Sequence, residues 1–243
     1  MPLFPEIVIV FVLIAFQSIF GIGLLLFGTP AFLMIGYDFE STLVLLLPVS
    51  IMISMLQLVY GKSSIKHLVS EYNYFCLPFL LLFLVIALNL DNFVNLKLYI
   101  SIFLILSSLA TINKNKIIQL DNYLLKYRKL CLICIGSIHG FTNMGGGFLS
   151  LFSGLINGHD RLLTRKYISY GYLTMGIVQY ITVLLFGSKE IDFTKLQYIF
   201  LSLLLFFPCQ MIFSKMDNHL FVKIIYFVAL MFGITALTVS LKR

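Results

Sequence analysis

A chain of 243 residues that is 60% hydrophobic and only 11% charged, with a mean hydropathy of +1.01, has too little polar surface to wrap a water-soluble core. Its formal charge of +7 would suggest nucleic acid in a soluble protein, but the basic residues lie in short loops between apolar runs, where they orient a membrane protein. A disulfide-stapled secreted domain is excluded as well, since Cys76, Cys131, Cys134 and Cys209 all lie in or beside apolar runs.

The amino-terminal stretch Met1 to Glu6 carries no basic region, and the run that follows reaches Pro30 without a small-residue cleavage site. No cleaved signal peptide is expected. Apolar runs then follow at Ile7 to Ile35, Leu43 to Tyr60, Tyr72 to Leu90, Phe93 to Ile112, Leu130 to Ile156, Tyr167 to Phe186, Phe193 to Phe213 and Leu220 to Leu241. They predict an all-α, polytopic integral membrane protein of about eight transmembrane segments in the cytoplasmic membrane, folded as a single membrane domain over 1–243. The one sizeable hydrophilic stretch, 113–129, holds Lys114, Lys116, Lys126, Arg128 and Lys129. It reads as a cytoplasmic linker between a first repeat, 1–112, and a second, 130–243.

A shift of 122 positions supports the repeat: it sets Gly21 on Asn143, Gly23 on Gly145 and Gln57 on Gln179. Each half opens with a long glycine-bearing run followed by a helix holding one Gln. The opening runs exceed the roughly 20 residues that a crossing needs, so either is expected to be a broken or re-entrant pair of half-helices. In that arrangement the halves are inverted, and more of the 17 Lys and Arg gather on one side than in a parallel arrangement. With no Trp in the chain, the interfacial belt falls to tyrosines near segment ends: Tyr60, Tyr72, Tyr74, Tyr99, Tyr123, Tyr127 and Tyr167.

Gly145, Gly146 and Gly147 are the strongest local signal, because glycine in an ordinary helix costs roughly 0.8–1 kcal/mol relative to Ala. In lipid, bare non-helical backbone is tolerated only where protein covers it or where it lines a wet cavity. A broken helix offers unpaired N–H groups and the positive end of a helix dipole, which suits an anion. The candidate binding residues are Gly21, Gly23, Pro30, Gln57, His139, Thr142, Asn143, Gly145, Gly146, Gly147 and Gln179. His139 is, cysteines and tyrosines aside, the one titratable side chain placed well inside a run. It is expected to hydrogen-bond the ligand or carry a coupling proton.

These features resemble the TauE/SafE family of sulfite and organosulfonate exporters, whose halves each carry a Gly-x-Gly-Gly-Gly cluster, a few apolar residues and a Pro. Gly21, Gly23 and Pro30 are in register, with Leu24 and Leu25 at positions where glycine is usual. The second half has Gly145, Gly146 and Gly147, with Asn143 at the first glycine position and Phe152 at the proline position. The resemblance implies export of sulfite or an organosulfonate. The expected partners are a small anion, the lipid bilayer and a coupling proton or sodium ion, with homo-oligomerisation compatible and nucleic acid not expected. Neither a cofactor, a metal nor enzymatic activity is expected. The rival readings are a membrane scaffold, in which the glycines serve only helix packing, and an intramembrane redox enzyme using Cys131 and Cys134. A Ser137–His139 pair is a poor nucleophile and base, since residues two apart on a helix face apart.

Overall fold

The computed structural model describes residues 4–61, 66–90, 125–158, 160–187, 193–221 and 223–224. The run Phe93 to Ile112, most of the linker and of Leu220 to Leu241, and Tyr99 and Tyr123 lie outside them. The structure is all-helical, with no strand among the described residues: α1 (Phe4–Phe20), α2 (Leu24–Met34), α3 (Phe39–Tyr60), α4 (Lys66–Phe75), α5 (Leu77–Leu90), α6 (Arg128–Thr142), α7 (Gly146–Ile156), α8 (Arg161–Phe186) and α9 (Gln197–Lys215), the last entered through a 3-10 turn, Phe193–Leu196. Among the described residues, four helical stretches are long and apolar enough to cross a membrane: Phe39–Tyr60, Val69–Asn89, Arg161–Phe186 and Gln197–Lys215. The second joins α4 and α5, whose hydrogen bonds run on past Cys76 (Cys76 N–H to Tyr72 O 2.9 Å, Leu80 N–H to Cys76 O 3.0 Å).

Both long glycine-bearing runs are broken. α1 gives way to α2 through Gly21 (φ 81°) and Gly23 (φ 137°), conformations that a Cβ disfavours. α6 gives way to α7 through Asn143 at φ 61°, in the left-handed region that Asn tolerates better than other side chains. The same offset of 122 relates Phe20 to Thr142, Leu24 to Gly146, Met34 to Ile156 and Phe39 to Arg161 at the helix ends. It also relates the N-caps of α3 and α8. The Asp38 carboxylate accepts from the Ser41 N–H at 2.7 Å, and that of Asp160 from the Leu162 and Leu163 N–H groups at 2.8 and 2.9 Å.

α3 and α8 pack along one another and run antiparallel. Lys166 Nζ donates to Gly61 O, Ser169 Oγ to Gln57 Oε1, Gly176 lies against Ile51, and Gly187 against Glu40. Residues related by the offset therefore come level near Ile53 and Met175. Elsewhere, α6 sets Gly136 and Gly140, one turn apart, directly on the backbone of Cys76 and Leu80. This is the small-xxx-small contact that lets membrane helices approach closely.

The exterior is apolar: Phe200 (69% exposed), Leu204 (73%) and Met211 (66%) on α9 and Leu185 (71%) on α8 face outward, while Gln17, His139, Asn143 and Gln179 are fully buried. That inverts the pattern of a water-soluble protein. Two expectations need correction. Tyr72 and Tyr167 are not belt residues; they are buried and meet edge to face, with centroids 5.9 Å apart. Their place near segment ends gives way to packing of α4 against α8. Arg165, counted from sequence among the loop charges, lies inside α8 and is 7% exposed. A further buried charge, Glu6, accepts from Lys195 Nζ (2.5 Å), Tyr198 OH (2.8 Å) and Tyr37 OH (2.5 Å), and so ties the start of α1 to α2's exit and the start of α9.

Candidate functional site

At the second break, Thr142 Oγ1 donates to Ile138 O (2.7 Å) and accepts from the Met144 N–H (3.2 Å), so Thr142 braces the end of α6. Asn143 closes that helix with its N–H on His139 O (2.7 Å). Its Nδ2 donates to Thr29 Oγ1 at 2.8 Å, and Thr29 Oγ1 itself donates to Leu25 O at 2.8 Å. With the Thr29 hydroxyl donating to Leu25 O, the Asn143 amide turns its NH2 towards Thr29, and its Oδ1 is left without a partner. Pro30, buried in α2, adjoins this contact.

Gly145 lies against the Cβ of His139 and Ile135 O, and a Cβ on Gly146 would overlap the Tyr172 hydroxyl. The Tyr172 OH therefore points at the first residue of α7, where helix N–H groups have no carbonyl one turn earlier. The first such bond in α7 is Leu149 N–H to Gly145 O. Gly147 is buried, and its carbonyl accepts from Ser150 Oγ (2.7 Å). His139 meets Tyr172 edge to face, with centroids 5.9 Å apart. The Gln179 amide approaches the imidazole closely enough to act on it, without meeting hydrogen-bond geometry.

The result is a concentration of unmatched polarity. Both His139 ring nitrogens, Asn143 Oδ1, Tyr172 OH and both amide atoms of Gln179 are without a hydrogen-bond partner, and all four residues are 0% exposed. Each unpaired buried group costs about 1–3 kcal/mol. Native interiors keep such groups few, so four around one helix break ask for a partner.

The first break is built differently. Gln17 Nε2 donates to Ser50 O, Ser50 Oγ and Ser54 Oγ (3.2, 3.0 and 3.3 Å), while Gln17 Oε1 accepts from the Leu24 N–H (3.2 Å). Gln57 donates to Gln17 O (2.7 Å) and Ser18 O (3.2 Å). Arg165 donates to Ser18 O (2.6 Å) and Gln210 Oε1 (2.9 Å) and lies 3.9 Å over the Phe213 ring. A cation is thus set at the negative end of α1. Gly21 lies against Arg165, and Gly23 against Phe16.

The structure therefore brings His139, Asn143, Gly145, Gly146 and Gln179 together and adds Tyr172. Gly21, Gly23 and Gln57 gather at the other break. Arg165, Ser169, Tyr172, Gly176 and Gln179 recur at helical spacing on α8, a stripe that links the two. Gln17 and Tyr172 were missed by sequence reasoning. The offset could have found Gln17, as the counterpart of His139, and the spacing of seven from Gln179 could have found Tyr172. Cys131 is partly buried and Cys134 exposed, and the two are not joined in a disulfide. Among the described residues no group of three His, Cys, Asp or Glu is placed to hold a metal. Set against protein-family models, curated proteins and solved structures, the chain matches none.

Proposed function

We propose that the chain is a multi-pass transporter of the cytoplasmic membrane that moves a small anion, of the sulfite or organosulfonate kind that the resemblance to TauE/SafE exporters implies, and that it holds this ligand at the second helix break. The observation that carries the reading is the set of four fully buried, unpartnered polar side chains around the start of α7. A helix start is a ready anion site, and Gly146 lets the Tyr172 hydroxyl stand directly against it. We read the two halves as inverted repeats, because α3 and its counterpart α8 run antiparallel. On that reading Gln57 and Gln179 lie on opposite sides of the level where Ile53 meets Met175, each about 6 Å from it along its helix. Sites near the midplane at a repeat interface are where secondary transporters bind substrate.

Two experiments test this. Thermal unfolding of the purified chain against sulfite, thiosulfate, sulfoacetate, sulfate, chloride and carboxylates should give a raised midpoint with at least one anion. A ligand at 100 times its Kd adds about 2.7 kcal/mol to the folded state. In Gln179→Leu the response should fall, and a folded protein that answers to none of them contradicts the reading. Inversion is tested separately. Single cysteines at Ile35, just after α2, and at Leu162, in the first turn of α8, 43% and 51% exposed, in a background without the native cysteines, should react with an impermeant thiol reagent from opposite faces. Reaction from one face contradicts inversion.

The second reading is a membrane scaffold, favoured by Gly136 and Gly140, which pack directly on the backbone of Cys76 and Leu80. A scaffold predicts no ligand response at all.

A further inference from the structure

The two breaks share a frame but differ in how the start of the second half-helix is met. At the first break the Gln17 carboxamide sits at the start of α2, accepting from the Leu24 N–H and donating to Ser50 and Ser54. The offset that matches the helix ends carries Leu24 to Gly146, Ser50 to Tyr172, Ser54 to Gly176, Gln57 to Gln179 and Gln17 to His139. His139 makes none of the bonds that Gln17 makes, and the Tyr172 and Gln179 polar atoms that should serve that frame have no protein partner.

We infer that Gln17 is a built-in occupant of the first break, and that the second break recognises a small oxyanion that still carries one hydrogen. The inference rests on the anion reading above and narrows its ligand class. Two observations fix the donor requirement. Asn143 Oδ1 is held as an acceptor by the Thr29 hydrogen bond, so the group that meets it must donate. In the first break the occupant is likewise two-sided, one atom accepting from the helix start and the other donating to the neighbouring helix. The negative charge follows from the helix start at Gly146, whose N–H groups and dipole favour an anion, and from the buried carboxylates among the described residues, Glu6 and Glu40, lying on α1 and α3 away from this break. The remaining groups, His139, Tyr172 and Gln179, each carry a donor for the anion's other oxygens, and Gln179 Oε1 is a second acceptor.

The inference is tested on the purified full chain with hydrogen sulfite and bicarbonate as protic probes, and nitrate and methanesulfonate as aprotic probes of equal charge. The protic anions should raise the unfolding midpoint. Aprotic anions should need at least roughly tenfold higher concentration for the same shift, because they leave the Asn143 Oδ1 acceptor unpaired. Equal shifts from nitrate and hydrogen sulfite overturn the inference and leave the anion reading standing. A shift with acetamide and with no anion overturns both. His139→Gln should let the chain supply its own carboxamide, so the folded variant should lose the hydrogen sulfite response with a ligand-free midpoint no lower than that of the parent. A folded His139→Gln with an undiminished response overturns the inference. If that variant yields no folded protein, Tyr172→Phe provides the second arm: the hydrogen sulfite concentration for a given shift should rise at least roughly tenfold, and an unchanged concentration overturns the inference equally.

Discussion

Replacing Gly140 by Ala is expected to cost most of the folded protein. The added Cβ would meet the Leu80 carbonyl oxygen and the Leu84 nitrogen, which are backbone atoms of α5. A crowding side chain can turn to another rotamer, but a helix backbone can yield only by moving the whole element. Overpacking in a core costs typically 1–3 kcal/mol, occasionally more; a clash with backbone belongs at or beyond the top of that range. Gly136, set on Cys76 O in the same way, should behave alike, and the double alanine variant should give no monodisperse protein after detergent extraction. Ser137→Ala on the same helix is the control. Its hydroxyl only bonds back to Ile133 O, so its effect should stay within about 0.5 kcal/mol. An unfolding midpoint for Gly140→Ala equal to that of Ser137→Ala would show that α5 and α6 are further apart than described.

This separates two uses of glycine that the sequence presents alike. Gly136 and Gly140 serve packing, whereas Gly21 and Gly23 turn the chain at positive φ. Read as letters, all belong to greasy runs rich in glycine. What distinguishes them is the partner helix, and that is set by tertiary packing.

Both breaks were legible because the cost of glycine and the length of the runs are local properties. The burial of individual side chains was not. In a membrane protein the outside is as apolar as the inside, so periodicity does not say which face of α8 turns inward. That is why Tyr72 and Tyr167, near segment ends, read as interfacial anchors and yet pack against each other, and why Arg165, near a segment boundary, read as an orienting charge and yet lies on Ser18 O. The long-range partner of each, 95 residues from Tyr72 and 147 from Arg165, leaves no mark within either one's own run. The offset is the exception, because it compares two places in the chain. Pursued past the glycines, it pairs Gln17 with His139 and so separates the break whose second half-helix is met by the chain's own carboxamide from the one where it is not.

The contrast between those breaks makes Tyr172→Phe an unusual variant, since it is expected to raise stability while weakening ligand binding. The Tyr172 hydroxyl is buried and without a partner, so in the ligand-free protein its desolvation is uncompensated by about 1–3 kcal/mol; removing it relieves that cost and leaves the ring in place against His139. The same substitution clears the space beside Gly146. Gly146→Ala alone should be destabilising by about 1–3 kcal/mol, because its Cβ meets the hydroxyl. In the Tyr172→Phe background the loss should shrink, with a coupling of about 1 kcal/mol or more in a double-mutant cycle on unfolding free energies. A structural tyrosine with a satisfied hydroxyl gives the opposite sign: Tyr172→Phe would then lose about 1 kcal/mol. Stability rising as binding falls is what a site holds when its polar groups are kept for a ligand rather than for the fold, and the two measurements together distinguish that state from helix packing alone.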